Sequence, residues 1–109
     1  MTAALLAALI AVESGGRDTA IGDAGHALGA LQIHAAVVAD VNQFTGSHYQ
    51  WRQMTNRPIA VAVATAYLSH YGGKNASPEK LARIWNGGPQ GHQRSSTLGY
   101  WAKVRAKMR

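Results

Sequence analysis

The chain opens with a run of small and apolar residues that ends abruptly in Glu13-Ser14-Gly15-Gly16. Residues 3–12 contain strong helix formers, Thr2 is a suitable N-cap, and the two glycines can end a helix because glycine adopts positive φ at little cost. The run is far shorter than the roughly 20 residues that span a bilayer, and no Lys or Arg precedes it as in a signal peptide. It therefore predicts a buried first helix and no membrane span.

Glu13 would stand where this first helix leaves the core. Partial burial and the negative end of the helix dipole both disfavour an ionised carboxylate, so we expect the pKa of Glu13 to be raised. The structural alternative is a solvated glutamate before a glycine C-cap, and this stretch alone leaves both interpretations open.

Length and charge limit the possibilities further. A chain of 109 residues predicts a single domain over residues 1–109. No cysteine is present, which excludes a disulfide framework and a thiolate metal site. Eleven Lys and Arg against five Asp and Glu give a net charge of +6, which favours an anionic partner: nucleic acid, acidic lipid or a bacterial envelope.

The remaining pattern predicts a mainly α fold with a short β-hairpin or irregular excursion after the first helix. Glycines mark the excursion at residues 17–30, and residues 29–34 suggest a short strand or an extended entry into the next helix. Periodicity and capping residues predict four further helices: at residues 35–44, after Asn56 with an apolar stripe that includes Ala62 and His70, from Ser77 to Asn86, and after a cap at Ser96 or Thr97 with Leu98 on its apolar stripe.

The chain has so few acids that each can be considered separately. Asp18 and Asp40 lie at polar positions, and Glu79 stands in the first turn of a predicted helix, where the dipole favours a carboxylate. Glu13 and Asp23 have no such explanation. Two carboxylates in unlike environments, one apolar and one exposed to solvent, suit glycoside cleavage. The spacing of Glu13 and Asp23 in the sequence does not by itself establish such a pair.

Other chemistry has less support in the sequence. The five histidines are scattered without a His-Glu-x-x-His pair, and neither a G-x-S-x-G elbow nor a phosphate-binding loop is present. We therefore expect no metal site and no cofactor. The basic last helix with Tyr100 and Trp101 could bind nucleic acid, but Trp101 falls on the apolar stripe and is better explained as core.

Several motifs in order along the chain resemble those of peptidoglycan-cleaving lysozymes. They are closest to the invertebrate-type lysozymes, and are also similar to goose-type lysozymes and soluble lytic transglycosylases. The motifs are Glu13-Ser14-Gly15-Gly16, Gly22-Asp23, residues 29–33, residues 82–91 and residues 97–104.

The resemblance implies roles for particular residues. Glu13 matches the general acid, and Asp23 matches the second carboxylate. His34 stands where goose-type enzymes have another aspartate, and Trp85 stands where transglycosylases have tyrosine and could stack on a sugar or fill the core. The substrate-binding residues that this resemblance predicts are Ser14, Gln32, His34, Trp85, Asn86 and Tyr100.

The expected function is a muramidase that cleaves the β-1,4 bond between N-acetylmuramic acid and N-acetylglucosamine. A lytic transglycosylase that forms 1,6-anhydromuramic ends, a non-catalytic wall-binding module and a nucleic-acid binder are the alternatives. We expect a monomer that is secreted or released by a phage and that acts on peptidoglycan strands in an anionic bacterial envelope. The absence of the invertebrate type's cysteines suggests a bacterial or phage relative, or a design, that is stabilised by its core.

Overall fold

The computed structural model describes residues 1–109 and confirms a mainly helical fold with one small antiparallel sheet after the first helix. None of its helices has the length and apolar character needed to cross a membrane. Short 3-10 turns lie at Asp23–Gly25, Trp51–Thr55, Gly91–Gln93 and Ser95–Thr97. The regular elements are α1 (Ala3–Ser14), β1 (Ile21–Gly22), β2 (Ala27–Leu28), α2 (Ala35–Thr45), α3 (Arg57–Gly72), α4 (Pro78–Gly87) and α5 (Leu98–Lys107).

The chain divides into two compact units. One, which we call the helical unit, consists of Met1–Val12 and Leu68–Arg109. The other, the hairpin unit, consists of Glu13–Tyr67. Most of α1, together with α4 and α5, falls in the helical unit, whereas the sheet, α2 and most of α3 fall in the hairpin unit.

Helix α1 begins where the sequence predicts and continues to Ser14. The Thr2 hydroxyl accepts the backbone N–H of Leu5 at 3.1 Å, which confirms the N-cap. Gly15 and Gly16 follow with φ of 68° and 93°, so the predicted glycine stop is also confirmed. The helix is stabilised mainly by its core-facing side chains, which are Leu5, Ala8, Leu9 and Ile10.

In the hairpin unit, β1 pairs with β2 in antiparallel register, Ile21 opposite Leu28 and Gly22 opposite Ala27. Residues 29–34 form no regular strand, and only His34 shows the alternative, an extended entry into α2, with φ of −86° and ψ of 152°. This segment is a turn with a single bridge between Leu28 and Ile33, because Gln32 adopts a positive φ of 52° that a strand does not allow.

Helices α2 and α3 complete the hairpin unit. Gly46 ends α2 in the left-handed conformation at φ 73°. Asn56 Oδ1 accepts the backbone N–H of Ile59 at 3.2 Å at the start of α3, as predicted. The predicted apolar stripe of α3 is partly wrong, because Ala62 and His70 are exposed. The residues that α3 buries are Ala60, Val63, Ala64, Tyr67 and Leu68.

In the helical unit, Ser77 caps α4 by accepting the backbone N–H of Lys80 at 3.1 Å, and α4 packs against α5. Thr97 is the N-cap residue of α5, one of the two residues predicted for that position, but its side chain makes no capping hydrogen bond. Its hydroxyl instead accepts from Arg83 Nε at 2.8 Å. Leu98, expected on the apolar stripe, is 49% exposed, whereas Val104 is buried.

Candidate active site

Glu13 lies in the last turn of α1 and is half-buried. Ser14 and two glycines with positive φ follow it at once, so the helix ends one residue after Glu13. The helix end and the glycine turn expected around Glu13 are therefore present in the fold. No three His, Cys, Asp or Glu side chains lie together in an arrangement that could hold a metal ion.

Ser14 shapes the turn after Glu13. Its side chain is buried, and its hydroxyl oxygen accepts the backbone N–H groups of Gly16 and Arg17, both at 3.1 Å. Arg17 Nε donates in return to the backbone carbonyl of Ser14 at 3.0 Å. These bonds satisfy backbone groups that the end of a helix leaves free, so the hydroxyl has a structural task beside any contact with substrate.

Arg57 gives the same turn a second support, which the sequence did not reveal. Its Nη2 donates to the backbone carbonyl of Gly16 at 2.6 Å, and its Nε donates to Asp18 Oδ1 at 2.6 Å. The partner residues are 41 and 39 positions away in the chain, so no local pattern predicts them. Asp18 is thereby explained as the partner of an arginine at the start of α3.

Asp23 lies at the tip of the hairpin, with φ of 50° and the neighbouring Ala24 at 54°. Its backbone carbonyl accepts the backbone N–H of His26 at 3.0 Å and lies 3.0 Å from His26 Nδ1. The side chain of Asp23 is 66% exposed. The carboxylate of Asp23 is therefore largely exposed to solvent, whereas Glu13 is half-buried.

His34 lies beside Asp23. Its Nε2 is 3.1 Å from Asp23 Oδ2, and its side chain is 48% exposed. The sequence assigned both residues to the site but predicted no contact between them, since 11 positions and an irregular turn separate them.

Gln32 is packed against the same hairpin. Its Nε2 donates to the backbone carbonyls of Ala20 at 3.1 Å and Gly29 at 3.0 Å. A carboxamide nitrogen carries two hydrogens, so both are used within the protein, and the side-chain oxygen packs against Gly22, the residue before Asp23. Asp23, Gln32 and His34 thus form one cluster, which we call the hairpin cluster.

The other predicted substrate-binding residues lie in the helical unit. Trp85 is half-buried and Asn86 is exposed, both in the last turn of α4, and Tyr100 is half-buried in the first turn of α5. Hydrogen bonds from Arg83 and Thr97 hold the loop between these helices. Arg83 Nη2 donates to the Arg94 carbonyl at 3.0 Å, and the Thr97 hydroxyl lies 2.7 Å from the Gly91 carbonyl.

Tyr67 lies outside these groups but has an altered titration. Burial, with the nearby charge of Asp40 as a second cause, raises the pKa of Tyr67 above its ordinary value of 10.0. Both side chains line an open pocket of about 420 Å³ with residues of α2.

A mainly helical domain with a two-stranded hairpin after its first helix, carrying Glu13 and the hairpin cluster, defines a lysozyme-like domain. A family model described as the transglycosylase SLT domain matches residues 1–106. The chain therefore belongs to the transglycosylase SLT domain family, which groups glycoside hydrolases with transglycosylases.

Relatives and a solved structure agree with this assignment. Lysozyme 1 of Crassostrea virginica is 47% identical over 45 residues, which are 38% of this chain and 24% of that protein. A lysozyme of Magallana gigas is 50% identical over 42 residues, 36% of this chain and 31% of that protein. The matched regions thus span less than a third of either relative.

The solved structure matches over a larger region. It is the crystal structure of Aeromonas hydrophila PliI in complex with Meretrix lusoria lysozyme. One of its chains superposes with a TM-score of 0.83 at 27% sequence identity. The match covers 97% of this chain and 89% of that chain.

Proposed function

We propose that this chain cleaves the β-1,4 bond between N-acetylmuramic acid and N-acetylglucosamine in peptidoglycan, with Glu13 as the general acid. The observation that carries the proposal is the placement of Glu13 at the end of α1, half-buried and followed by a turn that Ser14 and Arg57 hold in place. A general acid must keep its proton until the leaving oxygen needs it, and partial withdrawal from water favours the protonated form.

Asp23 is proposed as the second carboxylate. Its side chain is exposed, and an ionised carboxylate at this place can stabilise positive charge on the sugar or orient an attacking water. Two carboxylates with different exposures agree with the acid and base roles that glycoside cleavage requires.

The remaining predicted residues are proposed to bind the sugar chain. Asn86 is exposed and Gln32 is half-buried, and both carry a side-chain oxygen that can accept hydrogen bonds from acetamido and hydroxyl groups. Trp85 and Tyr100 are half-buried and offer ring surface for stacking. Ser14 and His34, also predicted to bind substrate, make the contacts within the protein that are described above.

Hydrolysis is our first choice, because Asp23 supplies a carboxylate for water. The match to the transglycosylase SLT domain favours the second candidate, in which the 6-hydroxyl of the muramic residue replaces water. The lysozyme names of the two molluscan relatives favour hydrolysis.

The charge of the chain agrees with an anionic wall as the target. A net charge of +6 attracts the protein to a negatively charged bacterial envelope. Added salt screens this attraction over about 8 Å at physiological ionic strength, so we expect clearing to slow as salt rises. A protein with this target acts at the cell wall after secretion or release by a phage.

Glu13→Gln tests the proposed function, because the amide keeps the size of the side chain and cannot donate the proton. The variant should fail to clear a suspension of purified cell walls while it still sediments with them. Glu79→Gln is the matched control: it makes the same chemical change at a partly buried ion pair with Arg83, and the amide oxygen can still accept a hydrogen bond from the guanidinium. Wall binding without soluble fragments from the unaltered protein would instead indicate a binding module.

A further inference from the structure

We propose that His34 is a positioning residue that fixes the Asp23 carboxylate for attack by water, and so directs the reaction towards hydrolysis. The inference rests on the proposed function and adds a role for the contact between His34 Nε2 and Asp23 Oδ2 at 3.1 Å. His34 thus has a role through Asp23 as well as any contact with the sugar.

The two residues differ in how firmly the backbone holds them. His34 is the N-cap residue of α2, and its carbonyl accepts the backbone N–H of Val37 at 3.1 Å. Its side chain makes no capping bond, so the imidazole is available to the hairpin. Asp23 sits on a hairpin whose strands have only two residues each. His34, at the start of α2, is therefore the more firmly held residue of the pair.

The chemistry of the two groups determines which of them donates the hydrogen bond. An ionised carboxylate only accepts hydrogen bonds, so the proton lies on His34 Nε2 and is donated to Oδ2. Such a bond to a charged acceptor is stronger than one between neutral groups. With Oδ2 held in this way, Oδ1 keeps a defined direction and is available to a water molecule.

The other titratable group at this carboxylate's end of the hairpin is His26. Its Nδ1 lies 3.0 Å from the backbone carbonyl of Asp23 rather than from the side chain. Two exposed histidines thus contact the same aspartate, and only His34 contacts the atoms that would do chemistry. This difference makes His26 a matched control.

The orientation of Asp23 matters because two nucleophiles compete for the sugar. In hydrolysis, the water oxygen bonds to C1 of the muramic residue, the bond from C1 to the leaving oxygen breaks, Glu13 protonates that oxygen, and Asp23 takes a proton from the water. In transglycosylation, the 6-hydroxyl oxygen bonds to C1, and its proton goes to the Glu13 carboxylate after the leaving oxygen has been protonated. Only the first route uses Asp23 to hold a water.

The test is digestion of purified peptidoglycan by the full chain, with mass spectrometry of the muramic ends. His34→Leu removes the donor at an exposed position, and we expect roughly a tenfold loss of kcat for reducing ends, with KM little changed. Where anhydro ends form, their share should rise. His34→Gln, which retains an N–H donor, should restore part of the loss, and His26→Leu should match the unaltered protein.

Partial unfolding lowers both products together and leaves their ratio unchanged, so it cannot raise the share of anhydro ends. His34→Leu with unaltered kcat and product ratio would overturn the positioning role and leave the function of Glu13 intact. A protein that yields no glycan fragments at all would refute the proposed function, and this inference with it.

Discussion

The side-chain oxygen Oε1 of Gln32 lies too close to the position that a Cβ atom on Gly22 would take for both atoms to fit. Gln32 is held there because its Nε2 donates to the backbone carbonyls of Ala20 and Gly29, at 3.1 and 3.0 Å. The residue before Asp23 is therefore a glycine for reasons of space, and the carboxamide ties the hairpin to the turn that leads to His34.

Gly22→Ala should push the Gln32 carboxamide away and weaken both of its hydrogen bonds. At about 0.5–1.5 kcal/mol for each bond, the free energy of unfolding should fall by about 1–3 kcal/mol. Urea denaturation followed by circular dichroism measures the loss. A variant as stable as the unaltered protein would mean that the carboxamide finds equivalent partners elsewhere.

Gly91→Ala should cost more, because its Cβ would overlap the backbone carbonyl of Arg83, which cannot rotate away as a side chain can. We expect a loss of about 3 kcal/mol. Gly99→Ala is the matched control, since nothing lies within 4 Å of the added atom in the first turn of α5, and alanine there should gain up to about 1 kcal/mol. Thermal unfolding of the two variants should shift in opposite directions.

Ser14→Ala should destabilise the turn that follows Glu13. The change removes the buried hydroxyl that accepts the backbone N–H groups of Gly16 and Arg17 in two part-buried bonds, at a cost of about 1–3 kcal/mol for the two together. Ser96→Ala, at an exposed serine, should change stability by less than about 0.5 kcal/mol. Equal effects of the two substitutions in urea titrations would contradict the structural role of Ser14.

Alkaline stability should depend on Tyr67, whose pKa is raised by burial and by Asp40. Above about pH 10 the unfolded chain releases the phenolic proton more readily than the folded chain does, so unfolding is favoured. The contribution of this shift to the free energy of unfolding is complete below the ordinary tyrosine pKa. It is lost as the pH rises through the raised pKa of Tyr67 in the folded protein. Tyr67→Phe should therefore lose less stability between about pH 9 and about pH 11 than the unaltered protein, as measured by unfolding midpoints. A loss equal to that of the unaltered protein would be inconsistent with this shift.

Much of the helical architecture could be predicted from the sequence because its signals are local. Thr2, Asn56 and Ser77 cap their helices as expected, and Gly15, Gly16 and Gly46 adopt the positive φ that ends a helix. The same local reasoning did not predict the contacts of the Thr97 side chain. It stands in a capping position, but Arg83 and the loop carbonyls compete for its hydroxyl, and this tertiary contact is stronger than the local preference.

The candidate site shows the same limit. The motifs selected Asp23, Gln32 and His34 individually, but their contacts depend on the positive φ of Asp23 and Gln32, which the sequence did not indicate for residues other than glycine. The clamp from Arg57 to Asp18 and Gly16 joins distant positions, so periodicity could not reveal it.

The mass of the muramic ends released from purified peptidoglycan is the sharpest test of cleavage by Glu13. We expect soluble fragments with reducing muramic ends, heavier by one water than 1,6-anhydro ends, from the unaltered protein and from Glu79→Gln, and none from Glu13→Gln. Fragments from Glu13→Gln in the amount that the unaltered protein gives, or no fragments from the unaltered protein, would contradict this expectation.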